Sequence, residues 1–513
     1  MLLLALAAIL ATTVLAAPAP AATRPPNIVV ITTDDQTLAS FDERFMPATA
    51  GFFAASGTEF ENAITVSPSC CPSRAAYLSG QYPHNNGVFA NDPGYPALES
   101  RGNILPAWVQ RAGYVTGHFG KYLNHFGERD PWAGPGPGWD RWYTLMTYRY
   151  FDYRLAVDGR IKRYGSRPRD YVTRRITTAA ARFLRARAGR RKPVYAQIDH
   201  FAPHTEQTAT PGRCSEAAQP DPLDAGLYLD EPLPQDGLDP DERSFDELDM
   251  TDKSPAIARR IPLGPLVVDN ITRRYRCQLA ALAAVDRSFV EVREALVDAG
   301  ALRRTVIVFT SDNGFFHGEH RLPNNKGLPY EEAIRVPLLI KLPASSGGAP
   351  PAMVAAPVAN IDLAPTLLDV AAAEPCIRRR GAGKRCRRLD GRSLMPLLTG
   401  EQAQEGAWPA ERKLLVEQGR IQYFCDPYAA IWSPTSLLAE FPTRNEETGE
   451  CGVETEYYDM ASDPLQLTNL ARYPGAGPYE EEAAALAAEL GQLRRCSGVE
   501  GRDEPRASKP FCQ

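Results

Sequence analysis

The sequence has no surplus of positive charge, few histidines and, past its first residues, no long apolar run. Lys and Arg number 57 against 62 Asp and Glu, a formal net charge of −5 over 513 residues. That balance speaks against a dedicated nucleic-acid binder. Beyond residue 22 nothing approaches the ~20 consecutive apolar residues of a membrane span, so no stable membrane anchor is expected. Ten cysteines are too few for a fold held chiefly by disulfides at this length. There is no internal repeat. The rest of the composition is that of an ordinary globular protein, 44% hydrophobic and 23% charged, with 45 prolines that favour rigid loops.

Residues 1–22, MLLLALAAILATTVLAAPAPAA, form an uncharged apolar run followed by small residues and prolines. The pattern predicts a secretory signal peptide, although no Lys or Arg precedes the apolar run. A secreted or periplasmic protein is expected, in a setting where disulfides persist. Strand-like apolar runs recur at 28–33 (IVVITT), 194–199 (VYAQID), 306–310 (VIVFT) and 336–340 (VPLLI). Between them, 171–184 and 275–296 carry apolar residues at helical spacing. This alternation predicts an α/β fold, with a large, mostly parallel central sheet flanked by helices. Residues 205–262, rich in proline and acid, read as a surface excursion. Strand signals at 414–417 and 456–459, then a helical 479–493, predict a smaller C-terminal subdomain (405–513) built on a short antiparallel sheet and a helix. The main domain then spans 23–404.

In parallel sheets, ligands gather at the carboxyl ends of strands. The runs at 28–33 and 306–310 lead into Asp34-Asp35 and Asp312-Asn313, which points to one shared site. These are hard oxygen donors without a Cys/His zinc spacing beside them, so the expected cation is Ca2+, with Mg2+ second. In 67–80, SPSCCPSRAAYLSG, Pro72 suits the first turn of a helix, with Cys70 or Cys71 near its N-cap and Gly80 placed to end it. A helix N-terminus beside Arg74 is a ready anion site.

Cys70-x-Pro72-Ser73-Arg74, followed by Leu78-Ser79-Gly80, resembles the signature of the type I sulfatases of the alkaline phosphatase superfamily. Similar companions follow in order over residues 27–471: 27–35 (NIVVITTDD), 120–124 (GKYLN), Ala202-Pro203-His204, 311–314 (SDNG), Lys326 and 335–338 (RVPL). The CCPSR and GKYLN variants are most similar to the N-acetylglucosamine-6-sulfatase and heparan 6-O-endosulfatase branch. The resemblance implies a sulfatase catalytic domain at 23–404, cleaving sulfate monoesters of a sulfated sugar or aryl alcohol. By register it implies that Cys70, not Cys71, is converted to formylglycine by a formylglycine-generating enzyme. It also implies Asp34, Asp35, Asp312 and Asn313, with position 70, as cation ligands, and Arg74, Lys121, His204 and Lys326 as catalytic residues beside position 70.

The implied chemistry suits the substrate. A sulfate ester carries a negative charge that repels nucleophiles, so the site must neutralise that charge and hold the ester in line. One hydroxyl of the hydrated formylglycine attacks sulfur, and the alcohol leaves with a proton from His204 or Lys326. The second hydroxyl is then deprotonated, which expels sulfate and restores the aldehyde. The family histidine two positions after the lysine is Leu123 here, with Asn124 and His125 as candidate replacements. Two other readings stand beside the sulfatase: a phosphonate monoester or phosphodiester hydrolase of the same superfamily, and a non-catalytic secreted polyanion-binding homologue.

With Cys70 set aside and Cys71 read as a buried bystander, eight cysteines remain. Sequence proximity suggests Cys376–Cys386, Cys425–Cys451 and Cys496–Cys512, which leaves Cys214–Cys277, one of 105 pairings open to eight cysteines. The stretch 376–388, CIRRRGAGKRCRR, reads either as a cationic loop that steers a sulfated polysaccharide or as a solvated insertion. His84 is placed either at the substrate cleft or in a structural loop, and Glu319-His320 either behind the site or in packing.

Overall fold

The unbroken β-branched run at 28–33 gives a strand with two apolar faces, and such a strand requires cover on both sides. The computed structural model describes residues 24–126, 134–206, 212–344, 350–379, 383–400, 408–409, 411–419, 424–445, 448–472, 478–506 and 508–513. The expected signal peptide lies outside the described residues. At the centre stand five parallel strands: β1 (Asn27–Thr33), β2 (Val115–Gly120), β3 (Arg141–Leu145), β4 (Val194–Asp199) and β5 (Thr305–Ser311), in the order β5-β1-β4-β2-β3. Leu338–Lys341 pairs antiparallel with β5, and the hairpin Arg154–Val157/Arg160–Arg163 extends the sheet beyond β3, within ten strands in all. The sheet is thus parallel at its centre with antiparallel pairs on either side, and the outermost pair at one edge, Thr58–Phe60 with Met353–Val354, is parallel again.

Helices cover both faces. The main helices are α1 (Cys70–Ser79), α2 (Val172–Arg187), α3 (Pro265–Asp298), α4 (Leu363–Ala371) and α5 (Pro478–Leu493). Val29 and Ile31 pack with α2 and α3 in one cluster, while Ile28 and Val30 pack with α1 and α4 in the other. The helical pattern at 275–296 marks only the buried part of α3. The helix begins at Pro265, and its first turns carry exposed Leu266 and Val267, so they show no apolar stripe. The region 205–262 is an excursion as expected, mostly turns, and Cys214–Cys277 ties it to α3.

Leu414–Gln418, Tyr428–Ser433, Ser436–Arg444 and Cys451–Asp459 form a sequential antiparallel sheet next to α5. A third core cluster joins its inner face to Tyr82, Phe316 and Tyr330 of the main body. The three disulfides suggested by proximity form, as does the remaining Cys214–Cys277, and Cys70 and Cys71 remain free and buried. Among the described residues no helix is long and apolar enough to cross a membrane.

One buried ion pair pins the C-terminal sheet to the body. Arg412, just before that sheet, holds Asp362 at the start of α4 in a bidentate grip, Nη1–Oδ2 2.6 Å and Nη2–Oδ1 2.8 Å. The carboxylate also accepts from the backbone N–H groups of Ala359 and Arg392. Arg412→Met leaves that buried charge without its cation, so we expect a loss of about 3–5 kcal/mol in a denaturant melt. A loss below about 1 kcal/mol would show that the pair does not hold the two sheets together.

Candidate active site

The site residues sit at or just past the carboxyl ends of parallel strands, on the first two turns of α1 or, for Lys326, in the loop beyond β5. Asp34 and Asp35 follow β1, Lys121 follows β2, His204 lies in the loop after β4, and Asp312 and Asn313 follow β5. The turn into Lys121 requires glycine. Gly120 has φ +121°, and a Cβ there would meet the Asp199 carbonyl oxygen, to which Lys121 N–H donates at 2.9 Å. Asp35 adopts a left-handed conformation (φ 67°), held by its N–H donating to Asp312 Oδ1 at 3.1 Å.

α1 delivers Cys70 and Arg74 to this point. Gly80 ends the helix in the left-handed region, as Gly80's place in the sequence predicts. Ser69 at its N-cap makes no side-chain bond, and instead Asn91 Oδ1 accepts from Cys71 N–H at 2.8 Å. Ser73 donates to the Asp312 carbonyl, and Asn360 holds Ser73 Oγ at 2.9 Å. The helix start is therefore fixed to β5 and to the turn before α4.

The charges interlock. Cys70 Sγ lies 3.3 Å from Asp34 Oδ1, 3.8 Å from Asp35 Oδ1 and 3.2 Å from Lys326 Nζ. Arg74 donates from Nε to Asp312 Oδ2 at 2.7 Å, and its other nitrogens face Asp199 at 3.6 Å and Asp34 at 3.8 Å. Lys121 pairs with Asp34 and Lys326 with Asp35. Burial pushes the Asp34 and Asp35 carboxyls up, but Lys121 on the first and Lys326 on the second, with His204, outweigh it and hold both below the usual range. Burial, with Asp34 beside it, raises Asp312 despite Arg74. Both lysines are raised, because their carboxylates overcome the cost of burial. His204 gives Nδ1–H to the Thr205 carbonyl at 2.6 Å and turns Nε2 toward Asp35 at 3.6 Å. Burial lowers its pKa.

The donor set fits a hard cation. The ligand atoms of Asp34, Asp35, Cys70 and His204 lie within 4.8 Å of one another. Asp35 Oδ2 and Asn313 Oδ1 are buried acceptors without a hydrogen-bond donor, and Asp34 Oδ2 meets only the ion-pair cations. Buried oxygens left in this state suit an ion that takes oxygen ligands. The cluster opens into a cavity of about 690 Å³, lined by Asp35, His204 and Lys326 together with Asn91, Glu216 and Arg274.

The structure thus brings Asp34, Asp35, Cys70, Arg74, Lys121, His204, Asp312, Asn313 and Lys326 together. It places other candidates elsewhere. Leu123 is buried in the core, and His125 lies in a loop with Nε2 4.0 Å from Asp92. His84 turns from the cavity to Glu417 (2.8 Å) and the Cys496 carbonyl (3.0 Å). His320 stacks on Tyr330 and bonds Glu247 at 2.7 Å, a packing role. Sequence reasoning missed Asp199 and His118, joined at 2.9 Å behind Arg74. It also missed Asn91, Glu216 and Arg274, which no local motif marks.

Comparison with known proteins identifies the family and the fold. Residues 26–373 match the profile of the Sulfatase family. The chain is 30% identical over 489 residues to the N-acetylglucosamine-6-sulfatase of Capra hircus, covering 88% of this chain and 80% of that protein. It is 31% identical over 399 residues to the extracellular sulfatase SULF-1 homolog of Drosophila melanogaster, covering 76% of this chain but 32% of that longer protein. A protein solved in complex with its substrate D-glucosamine-2-N,6-O-disulfate shares the fold with TM-score 0.70 at 24% identity, covering 92% of this chain and 98% of that chain. The phosphonate monoester hydrolase of Agrobacterium radiobacter shares it with TM-score 0.65 at 20% identity, covering 91% and 95%.

The second cysteine supplies a check on this packing. Cys71 is fully buried, and burial pushes its thiol up to about 12. Iodoacetamide at about pH 8 should leave Cys71 unlabelled in the native protein and label it in denaturant, as read by peptide mass spectrometry. Rapid native labelling would contradict the burial of α1's first turn.

Proposed function

The chain belongs to the sulfatase family, and on that premise we propose that it is a secreted or periplasmic sulfuric ester hydrolase whose nucleophile is formylglycine made from Cys70. The observation that carries this reading is the setting of Cys70 Sγ, 3.3 Å from Asp34 and 3.2 Å from Lys326, buried behind Asp35 and Lys326, which line a polar cavity. Asp34, Asp35, Asp312 and Asn313 would hold a Ca2+ ion, with an oxygen at position 70 completing the set. Bound there, the cation supplies positive charge beside the sulfate and lowers the pKa of the attacking hydroxyl.

The chain's own residues do the rest. Arg74 is fixed by Asp312 and by the Lys121 carbonyl at 2.9 Å, so its guanidinium is oriented before substrate arrives. Lys121 and Lys326 stay protonated through the neutral range and add positive field for the sulfate oxygens. Lys326 Nζ and His204 Nε2 both face Asp35; Lys326, held protonated there, is placed to give the leaving alcohol its proton, and His204 would do so only with both ring nitrogens protonated. A formylglycine-generating enzyme is the partner during maturation. Four disulfides and extracellular relatives favour an extracytoplasmic location.

A sulfated saccharide is the substrate class favoured by the polar cavity lining and by the names of the relatives. Phosphonate or phosphodiester hydrolysis is the second reading, since a phosphonate hydrolase shares the fold. Steady-state kinetics on 4-nitrophenyl sulfate and a matched phenyl phosphonate ester should favour the sulfate, and a reversed preference would install the second reading. Cys70→Ala should lower kcat/KM at least about 10³-fold with an unchanged melt, whereas Cys71→Ala stays within about tenfold. Chelation by EGTA should lower both turnover and Tm, with recovery on added Ca2+. Full activity in Cys70→Ala would refute the assignment.

A further inference from the structure

The active-site cavity shares a wall with a second and larger depression of about 950 Å³. That wall is the segment 323–326, in which Asn324, Asn325 and Lys326 face the active-site cavity and Pro323 faces the neighbouring groove. Arg274 braces it, lining the active-site cavity while Nη1 donates to the Pro323 carbonyl at 2.8 Å. A ligand held at Cys70 that extends over 323–326 would enter the groove.

The lining of the groove has one sign of charge. Arg259, Arg260, Arg321 and Arg444 stand along it, and no Asp or Glu is among the described residues that line it. This is a local concentration in a protein whose formal net charge is −5. Arg321 is held in place by backbone carbonyls of Glu247 (2.9 Å), Arg260 (2.9 Å) and Leu248 (3.0 Å), with the nearest carboxylate, Asp246, at 3.7 Å. Its guanidinium is oriented by these carbonyls, with Asp246 as its ion-pair partner. The N-terminus of α3 opens on the same groove, capped by Gly264 and with no acid in its first turn; Pro265 has no N–H and Val267 and Val268 give theirs to the Gly264 carbonyl, so the helix adds only its dipole to the positive field. Between the arginines the surface is apolar and stiff, made of Pro255, Pro262 and Pro323, with Ile261 79% exposed.

We propose that this groove is a second subsite that holds the non-reacting sugars of a sulfated oligosaccharide whose reacting sulfate sits at Cys70. Sulfated sugar rings match it on both counts, with apolar C–H faces for proline and isoleucine and sulfates for arginine. The rigid floor lowers the ordering cost of binding. The inference rests on the sulfatase reading for the reacting end and adds that the preferred substrate is a chain rather than a monosaccharide.

The test compares wild type with Arg259→Ala/Arg444→Ala, two exposed positions outside the catalytic constellation, and with the charge-reversed Arg259→Glu/Arg444→Glu. Each is assayed on glucosamine 6-sulfate and on a heparin-derived hexasaccharide, and hexasaccharide binding is titrated separately. We expect KM and Kd for the hexasaccharide to rise about five- to tenfold in the Ala pair and further in the Glu pair. Its kcat and all monosaccharide kinetics should stay unchanged, and the hexasaccharide difference should shrink at high salt. An unchanged hexasaccharide KM and Kd, or an equal loss on the monosaccharide, would overturn the subsite. So would equal binding of a polyglutamate peptide of matched charge. Failure of wild type to cleave either ester would refute the sulfatase reading, and the Kd comparison would still decide the groove.

Discussion

Asp34, Asp35 and Asp312 are buried together at the ends of β1 and β5, and the surrounding structure is arranged to make that tolerable. A buried carboxylate without a partner costs several kcal/mol, so each must meet a cation with good geometry. Arg74, Lys121 and Lys326 meet them, from α1, from the end of β2 and from the loop beyond β5. Because the partners come from separate elements, shifting any one element strands a charge. The active site is also, in this sense, a lock on the register of the sheet's carboxyl edge.

That electrostatic arrangement is what makes position 70 chemically special. The thiol of Cys70 is pushed up by burial and by Asp34, so as cysteine it is a poor nucleophile where it stands. The surroundings are built instead for oxygen chemistry, with hard donors on one side and fixed cations on the other. The arginine groove beyond segment 323–326 continues the same logic outward, since an anionic chain meets positive charge along its length.

The parts of this design that are local in sequence were readable there. Apolar β-branched runs leading into Asp34-Asp35 and Asp312-Asn313 revealed β1 and β5, and Pro72 and Gly80 marked the turn chemistry of α1. Short separations led to three disulfides and left the fourth by elimination. What depends on distant packing was not readable. His118 and Asp199 support Arg74 from two different strands, and Asn91 caps α1 from a loop. Arg274 lies on a stretch of α3 that precedes its apolar stripe. His84 could be placed at the cleft or, as a lone loop histidine more often is, in the scaffold, and Glu417, more than 300 residues away, holds it there.

The account stands on Cys70 being the residue that is converted while Cys71 is left alone. Mass spectrometry of the tryptic peptide that ends at Arg74, from protein made together with a formylglycine-generating enzyme, tests this directly. We expect an aldehyde at position 70 and an intact thiol at position 71. Two intact thiols, or an aldehyde at 71, would contradict it.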